Sequence, residues 1–592
     1  MTPATITFNP RDTIALYSRG SYDELSESLL AVLAFLDCNT YCTLTPESSY
    51  CCNVFVDVFL TLFVREDYLI SDRHAAAFIQ FNPVIANVVA MTPFRNTDPQ
   101  LEILRNQKAN FIKILALYSP RNLVRFTTAD LFGGGALPAS LWYSVWYESV
   151  EGFPTRLIHE NINRHQDSLD ERWMIAAAGP GGSSFPYSFS TYVDPVSDRN
   201  IKRHINHCIR PRFRDVVVRN VPNRKRVAIV TARWARTSAV YKSCAGFVAS
   251  LRPQYDLTLV QLYNRETDFD ASLFSDIRYI SAEDLSKLRL DALTSNDFML
   301  AYFPDIGLDE AGRYLSNLRF APIQVTGYGH PVSTWGGELD YFIAGRDVEL
   351  AAKARDHYAE RLVLIPGIGA IPCRPDYRPH GRSRQGERLI INCPWFAHKC
   401  AWPHLRTLRD ILDRSPQPLL FRFFAGPGLY RHNALIPFTR EMEEVLGVGN
   451  LEIVPQVPYA EYMARLEEGD FSIDSFPFGG YNTIIDSLWV RKPVVTLEGE
   501  RFINRAASAL LRQIGMAELI TRSAQEYADC ILRLVNDAGW RQMLRDKVGA
   551  IDLERTVFDP GYGRYFRKAI DYLIDNHVEL RDEHSHNPIY ID

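Results

Sequence analysis

Hydrophobic positions along the chain follow two rhythms, one after the other. Up to about residue 220 they recur every three or four residues, which predicts a mainly α-helical region. Ser21 and Glu24 have the capping-box spacing and open a leucine-rich helix over residues 25–36. Further helices are predicted over residues 103–117, 138–151 and 200–210. Leu141, Trp142, Tyr143, Trp146 and Tyr147 form a stripe at helical spacing. Such a stripe predicts core packing, with a protein-docking surface as the alternative.

From Arg226 the apolar runs become short and continuous, as in buried parallel strands. Strands are predicted at residues 227–231, 257–262, 298–303, 323–326 and 362–365, with amphipathic segments such as 238–251 and 309–318 between them. A second series follows at 389–392, 419–424, 451–454, 471–473 and 494–497. Strands alternating with helices predict two doubly wound α/β sheets. Residues 376–387, rich in Pro, Gly and Arg, read as the linker between the two series. The expected domains are a helical region over 1–220, a first Rossmann-like lobe over 221–385, a second over 386–565, and a terminal helix and tail over 566–592. The last residues, 577–592, are polar and read as loose.

The most informative stretch is 474–508. A strand end gives way to Phe476-Pro477-Phe478-Gly479-Gly480, which continues neither strand nor helix. Asn482 or Thr483 can cap the helix that follows, and Ile484, Ile485, Leu488 and Trp489 supply its apolar face. A glycine turn opening a helix offers backbone N–H groups and a positive dipole end to an anion. Asp486, expected within the first turn of that helix, would repel a phosphate but suits a ribose hydroxyl. The next strand, Pro493-Val494-Val495-Thr496, leads into Glu498-Gly499-Glu500. Two consecutive strand-to-helix loops on one sheet edge predict a nucleotide crevice; an ordinary βαβ unit without a ligand is the plain alternative.

These residues resemble the donor site of protein O-linked N-acetylglucosamine transferase. They resemble still more that of the bacterial cytoplasmic N-glycosyltransferases that modify high-molecular-weight adhesins. The shared pieces are Phe-Pro-Phe-Gly, Asn482, the Ile-Ile-Asp ending at Asp486, the Lys-Pro-Val-Val-Thr strand and the Gly-Glu that follows. Four more segments match in order. One is Ala321-Pro-Ile-Gln324 with Gly329-His330-Pro331. A glycine on each side of Tyr328 allows close backbone approach, and His330 would enter the cleft between lobes. Another is 392–399, where Lys399 stands in the place of the family's diphosphate-binding lysine. A third is 454–462: the resemblance implies backbone contacts from Gln456 and Val457 to uracil, with Tyr462 stacked on it. The last is 423–428, where Pro427 stands near a glutamine of the relatives. Residues 156–210 also resemble the helical amino-terminal domain of the adhesin enzymes.

The resemblance implies the architecture called GT-B, two facing Rossmann-like lobes behind a helical domain. It implies an inverting transfer of a hexose, glucose above all, from a UDP-sugar to a protein side chain: Asn in Asn-x-Ser/Thr of an adhesin, or Ser/Thr. An enzyme acting on a saccharide and a non-catalytic nucleotide-sugar-binding or adhesin-docking protein are the alternatives, and Lys399, Asn482 and Asp486 speak against the second. The catalytic candidates are Lys399 and His330. The donor-binding candidates are Lys399, Gln456, Val457, Tyr462, Phe478, Gly479, Gly480, Tyr481, Asn482, Thr483 and Asp486. Relatives place a histidine after the first strand of the first lobe; Arg233 to Tyr241 contains none, which leaves His330 as the candidate base. No metal and no cofactor are expected, because Lys399 would neutralise the leaving diphosphate and Asp268-Phe269-Asp270 sits in a polar loop.

Composition narrows the setting. At 592 residues two or three domains are expected. A net charge of −5 gives no nucleic-acid footprint. The chain begins without a basic-then-apolar signal, and its strongest apolar run, 53–64, is broken by Asp57 and too short to span a membrane. Both point to the cytoplasm. Cys38, Cys42, Cys51 and Cys52 lack the spacing of zinc knuckles and read as buried free thiols in helices. No helical-hairpin repeat is present.

Overall fold

The computed structural model describes residues 8–107, 110–174, 184–194, 196–218, 221–382, 386–583 and 585–592. Two compact units can be distinguished: Met1–Ile201 with Trp395–Asp413 and Leu420–Val457, and Lys202–Pro394 with Arg414–Leu419 and Pro458–Asp592.

The first two hundred residues are helical where described, from Pro10–Ser18 through Asp198–Ile209. The aromatic stripe is core: Trp142, Tyr143, Trp146 and Tyr147 are buried. Trp142 stacks on Tyr118 at 5.7 Å, and His165 lies edge-on to Trp146 at 4.8 Å while its Nε2 meets the Tyr118 hydroxyl at 2.9 Å. Burial pushes that imidazole down to about 3, so it is neutral. The helix over 103–117 is two helices, Asp98–Arg105 and Phe111–Leu117, because polar Asn106 and Gln107 interrupt the apolar face. Ser21 does precede the helix Tyr22–Cys38, but its side chain makes no cap bond. Of the four early cysteines only Cys52 is buried; Cys38 and Cys42 are exposed, and Cys42 lies between helices. In the stretch 156–210, residues 175–183 and 195 lie outside the described residues, as do 383–385 of the linker.

Among the described residues fourteen strands follow: β1 (Asn223–Thr231), β2 (Asp256–Leu262), β3 (Asp276–Ile280), β4 (Phe298–Phe303), β5 (Ile323–Thr326), β6 (Tyr341–Gly345), β7 (Arg361–Ile365), β8 (Leu389–Cys393), β9 (Leu419–Phe424), β10 (Leu451–Val454), β11 (Phe471–Ile473), β12 (Val494–Leu497), β13 (Ile520–Thr521) and β14 (Ile589–Tyr590). They form an eight-stranded sheet, β14-β7-β6-β5-β4-β1-β2-β3, and a six-stranded sheet, β10-β9-β8-β11-β12-β13. The registered pairs are parallel, as in Val227 opposite Leu257 and Phe471 opposite Ile391. Burial of both faces explains the unbroken apolar runs of β1 and β4.

Strands β3, β6, β13 and β14 add to those expected. Arg278 and Asp276 break the apolar run of edge strand β3, and β13 and β14 are two residues each. The tail is not loose. The helix Gly563–Asp582 packs Phe566 flat on Phe247 at 4.7 Å, and β14 then pairs with β7, Ile589 opposite Val363. The chain's end is therefore the edge strand of the first sheet. Among the described residues no single helix is long and apolar enough to cross a membrane; one bent pair, Asp72–Gln80 with Asn82–Met91, has the length and composition.

Candidate active site

Strand order locates a crevice in the six-stranded sheet. Order runs one way from β8 through β9 to β10 and the other way through β11, β12 and β13, so the reversal lies between β8 and β11. Loops leaving the carboxyl ends of two such strands diverge and leave room for a ligand. The loop leaving β11 is Asp474–Tyr481, and the loop leaving β8 continues into the turn Ala397–Lys399.

Asp474 organises the first of these loops. It is 3% exposed. Its Oδ1 accepts from Ser475 N–H at 2.9 Å and Gly480 N–H at 2.7 Å, and its Oδ2 accepts from the Thr496 hydroxyl at 2.9 Å. A Cβ on Gly479 would lie 2.8 Å from Asp474 Oδ2, and one on Gly480 2.7 Å from Thr483 Oγ1. The glycines are thus needed for the loop's own packing. Their N–H groups are not offered to a ligand, contrary to the expectation from sequence: Gly479 donates to the Ile503 carbonyl at 2.7 Å and Gly480 to Asp474. The free donors come one step later. The helix Asn482–Trp489 is capped by Tyr481, not by Asn482 or Thr483, and the N–H groups of Asn482 and Thr483 take no partner among the described residues.

Asn482 turns its side chain to the helix Ala239–Leu251, donating to the Ala239 carbonyl at 3.2 Å and lying 3.3 Å from Ser243 Oγ. Asp486 is on the second turn rather than the first, and it is buried. Its Oδ1 accepts from the Tyr459 hydroxyl at 2.6 Å. Burial pushes its carboxyl up to about 6, against the opposing pull of Tyr459 and Lys242. The Lys242 ammonium sits 4.2 Å from the Tyr459 ring centre. Tyr462 stacks on Tyr459 at 5.9 Å with its hydroxyl buried. Tyr481 packs edge-on to Tyr328 at 5.0 Å, and Tyr328 to Phe502 at 5.0 Å. Phe478 is buried, and its carbonyl accepts from Ser475 Oγ at 2.7 Å.

His330 stands in the first part of the loop that leaves β5 and is 4% exposed. Gly307, at φ +96°, lies so close that a Cβ there would be 2.6 Å from the imidazole Cδ2. Burial, then the charge of Lys202, holds the ring well below its ordinary value, so it is neutral, and its Nε2 has no partner among the described residues. The close approach at Gly329 is to protein, not to a ligand: a Cβ would lie 1.8 Å from the Pro304 carbonyl oxygen.

In the other unit, Lys399 ends the turn Ala397–Lys399 and is half-buried. The turn is pinned from both sides. Phe153 N–H donates to the Cys400 carbonyl at 2.9 Å, and the His398 ring lies 4.5 Å from Tyr192. Gln456 and Val457 are at the end of β10, and the N–H of Gln456 donates to the Tyr430 hydroxyl at 3.0 Å, so it is engaged within the chain. A Cβ on Gly428, next to Pro427, would meet Glu151, whose carboxyl burial pushes up to about 8.

Glu498 belongs to the scaffold: it accepts from Arg512 at 2.6 Å and Ser508 at 2.9 Å. Asp270 caps the turn Ala271–Leu273, and Asp268 pairs with Arg236. Among the described residues no three His, Cys, Asp or Glu side chains converge as a metal site would require. Sequence reasoning missed Asp474, Tyr459, Lys242 and Ser243. Asp474 alone had a local signal, a carboxylate at a strand end six residues before a glycine.

Residues 387–565 match the family model described as glycosyl transferase family 41. The chain is 25% identical over 535 residues to the UDP-glucose:protein N-beta-glucosyltransferase of Actinobacillus pleuropneumoniae serotype 5b, covering 84% of each chain. It is 25% identical over 534 residues to the protein of the same name from serotype 7, again covering 84% of each. Among solved structures, a mutant O-GlcNAc transferase of Thermobaculum terrenum aligns with a TM-score of 0.54 and 19% identity, covering 96% of this chain and 99% of that one. That likeness supports the GT-B architecture. The resemblance read from the motifs is borne out.

Proposed function

We propose that the chain is an inverting protein glycosyltransferase that moves a hexose, glucose first, from a UDP-sugar to the asparagine of an Asn-x-Ser/Thr sequence. The observation that carries this reading is the β8–β11 reversal, with the loop Asp474–Tyr481 delivering partnerless N–H groups at the start of Asn482–Trp489.

The residues divide the work. The first-turn N–H groups and the helix dipole receive diphosphate oxygens. Asp486, once ionised, takes a ribose hydroxyl, and Tyr459 and Lys242 orient it. Lys399 supplies the cation for the leaving diphosphate. In the transition state the bond from the anomeric carbon to the glycosidic oxygen breaks and that oxygen gains charge, so a fixed cation stabilises the transition state more than the bound donor. The acceptor nitrogen attacks from the opposite face, which inverts the centre. His330, neutral and with an open Nε2, is the candidate to take the acceptor's proton. The relatives' names support protein as acceptor and UDP-glucose as donor. An adhesin acceptor, a cytoplasmic location and independence from metals belong to the same proposal.

Incubation of the purified chain with UDP-glucose and an Asn-x-Thr peptide, read by fragmentation mass spectrometry, tests it. One hexose on the asparagine, and none on the Gln-x-Thr control, is the expected result. Sugar on Ser/Thr only, or release of free glucose without transfer, overturns it.

A further inference from the structure

We infer that the chain carries a second anion site, for a soluble phosphate-bearing ligand of diphosphate size, at the carboxyl end of the helix Asn482–Trp489. A cavity of about 640 Å³ opens there, lined by Arg382, Arg491, Lys492 and Arg545, with Glu467 and Asp546 as the acidic residues of its lining among the described residues. It lies at the amino end of β12, whereas the proposed donor loop leaves the carboxyl end of β11, so the two sites are on opposite edges of the sheet.

Charge here is under-compensated. Lys492 is 4% exposed; the charges of Asp470 and Glu467 act on it, but among the described residues its ammonium has no hydrogen bond and no direct ion pair. Arg382 and Arg491 have no ion pair either. Arg545 Nη2 donates to the Asp470 carbonyl at 2.9 Å and lies 3.9 Å from that residue's carboxylate, the one ion pair among these cations in the described residues, while its Nε is buried without a partner. The two carboxylates of the lining are already occupied by neutral donors. Glu467 accepts from the Tyr377 hydroxyl at 2.8 Å and from the N–H groups of His380 and Gly381 at 2.8 and 2.6 Å. Asp546 accepts from Gln542 at 2.8 Å. A buried cation normally has a partner, because its desolvation is otherwise uncompensated. Arg491 adds a conformational oddity: it holds φ +61° at a helix end where glycine is the usual residue. Clustered guanidinium groups and an ammonium facing one cavity fit phosphoryl oxygens.

The test uses the full chain with UDP present to fill the donor site, at matched ionic strength, and titrates inorganic pyrophosphate by calorimetry and thermal shift. One pyrophosphate per chain is expected, with a shift in melting temperature that chloride does not reproduce. Lys492→Met should fold with unchanged or higher melting temperature, since it removes a buried charge whose desolvation outweighs the pull of Asp470 and Glu467. It should lose at least tenfold in pyrophosphate affinity while UDP affinity stays within about twofold. Arg491→Gln, at the exposed rim, should weaken pyrophosphate in the same direction. No saturable heat with the wild type, or equal affinity in both variants, overturns the inference.

Discussion

At the scale of single residues, the carboxylate of Asp474 satisfies two backbone N–H groups and the Thr496 hydroxyl from a buried position. Asp474→Ala would strand three donors at roughly 1–3 kcal/mol each. It should lower the melting temperature clearly and abolish UDP binding; a variant that melts like the wild type would remove Asp474 from its place in the loop. Lys399→Ala should cut turnover on the order of a hundredfold to a thousandfold while donor affinity falls far less, because the cation matters most as charge grows on the leaving oxygen. Steady-state rates beside donor titrations separate the two effects, and a loss of no more than about tenfold would take the leaving-group role from it. Asp486 adds a pH signature. Its folded carboxyl titrates near 6, above the ordinary 3.8, so folding favours its protonated form and this contribution to stability is lost as pH rises through about 6. A ribose hydroxyl needs the ionised form, so UDP-glucose affinity should fall from pH 7.5 to pH 5, and Asp486→Asn should flatten that slope. An equal slope in the variant would show that another group titrates. The residues visible in the sequence were those of the motif, Asn482, Asp486 and the two glycines. Tyr459 and Lys242 were invisible, since only folding brings a residue at position 242 against one at 459.

At the scale of elements, most of the longer strands of both sheets were legible, many to the residue, as with β4, β9, β10 and β12, but β6 was missed although Tyr341-Phe-Ile-Ala is an unbroken apolar run. The two-residue strands β13 and β14 take their existence from a partner already in place, which no local pattern encodes. The glycine loop was legible as a loop, but its meaning was inverted. Gly479 and Gly480 make room for Asp474 and Thr483, and the open N–H groups belong to the helix that follows. The loop after β9 shows another dependence. His432 and Asn433 both hold left-handed backbone, at φ 51° and 59°, and Asn433 is tied to Tyr41 N–H at 2.8 Å and the Leu36 carbonyl at 2.6 Å. Burial alone would lower the His432 imidazole, but hydrogen bonds to Asp37, at 2.7 Å, and Glu148 carry it up to about 9. A histidine raised in this way contributes stability that is whole below its free value of 6.5 and is lost as pH rises to about 9. Melting temperature should therefore drop between pH 6.5 and 9 more steeply in the wild type than in His432→Gln; parallel curves would argue against a charged staple.

At the scale of the whole molecule, the two-sheet architecture followed from the alternation of strands and helices, and the helical character of the first two hundred residues from apolar periodicity. The resemblance also implied a final helix that returns to the first lobe, but the pairing of β14 with β7 was not legible, because β14 is a two-residue segment that gains its meaning from a strand more than two hundred residues earlier. One claim stands above the rest: that the loop leaving β11, with the start of the helix Asn482–Trp489, binds uridine diphosphate. Calorimetric titration of the intact chain with UDP, and with ADP and GDP as controls, with and without EDTA, tests it most directly. The account predicts one UDP bound per chain, at least tenfold weaker binding of ADP and GDP, a higher melting temperature with UDP by mass action, and no change on chelation. Equal heats from all three nucleotides, or no heat from UDP, would contradict it.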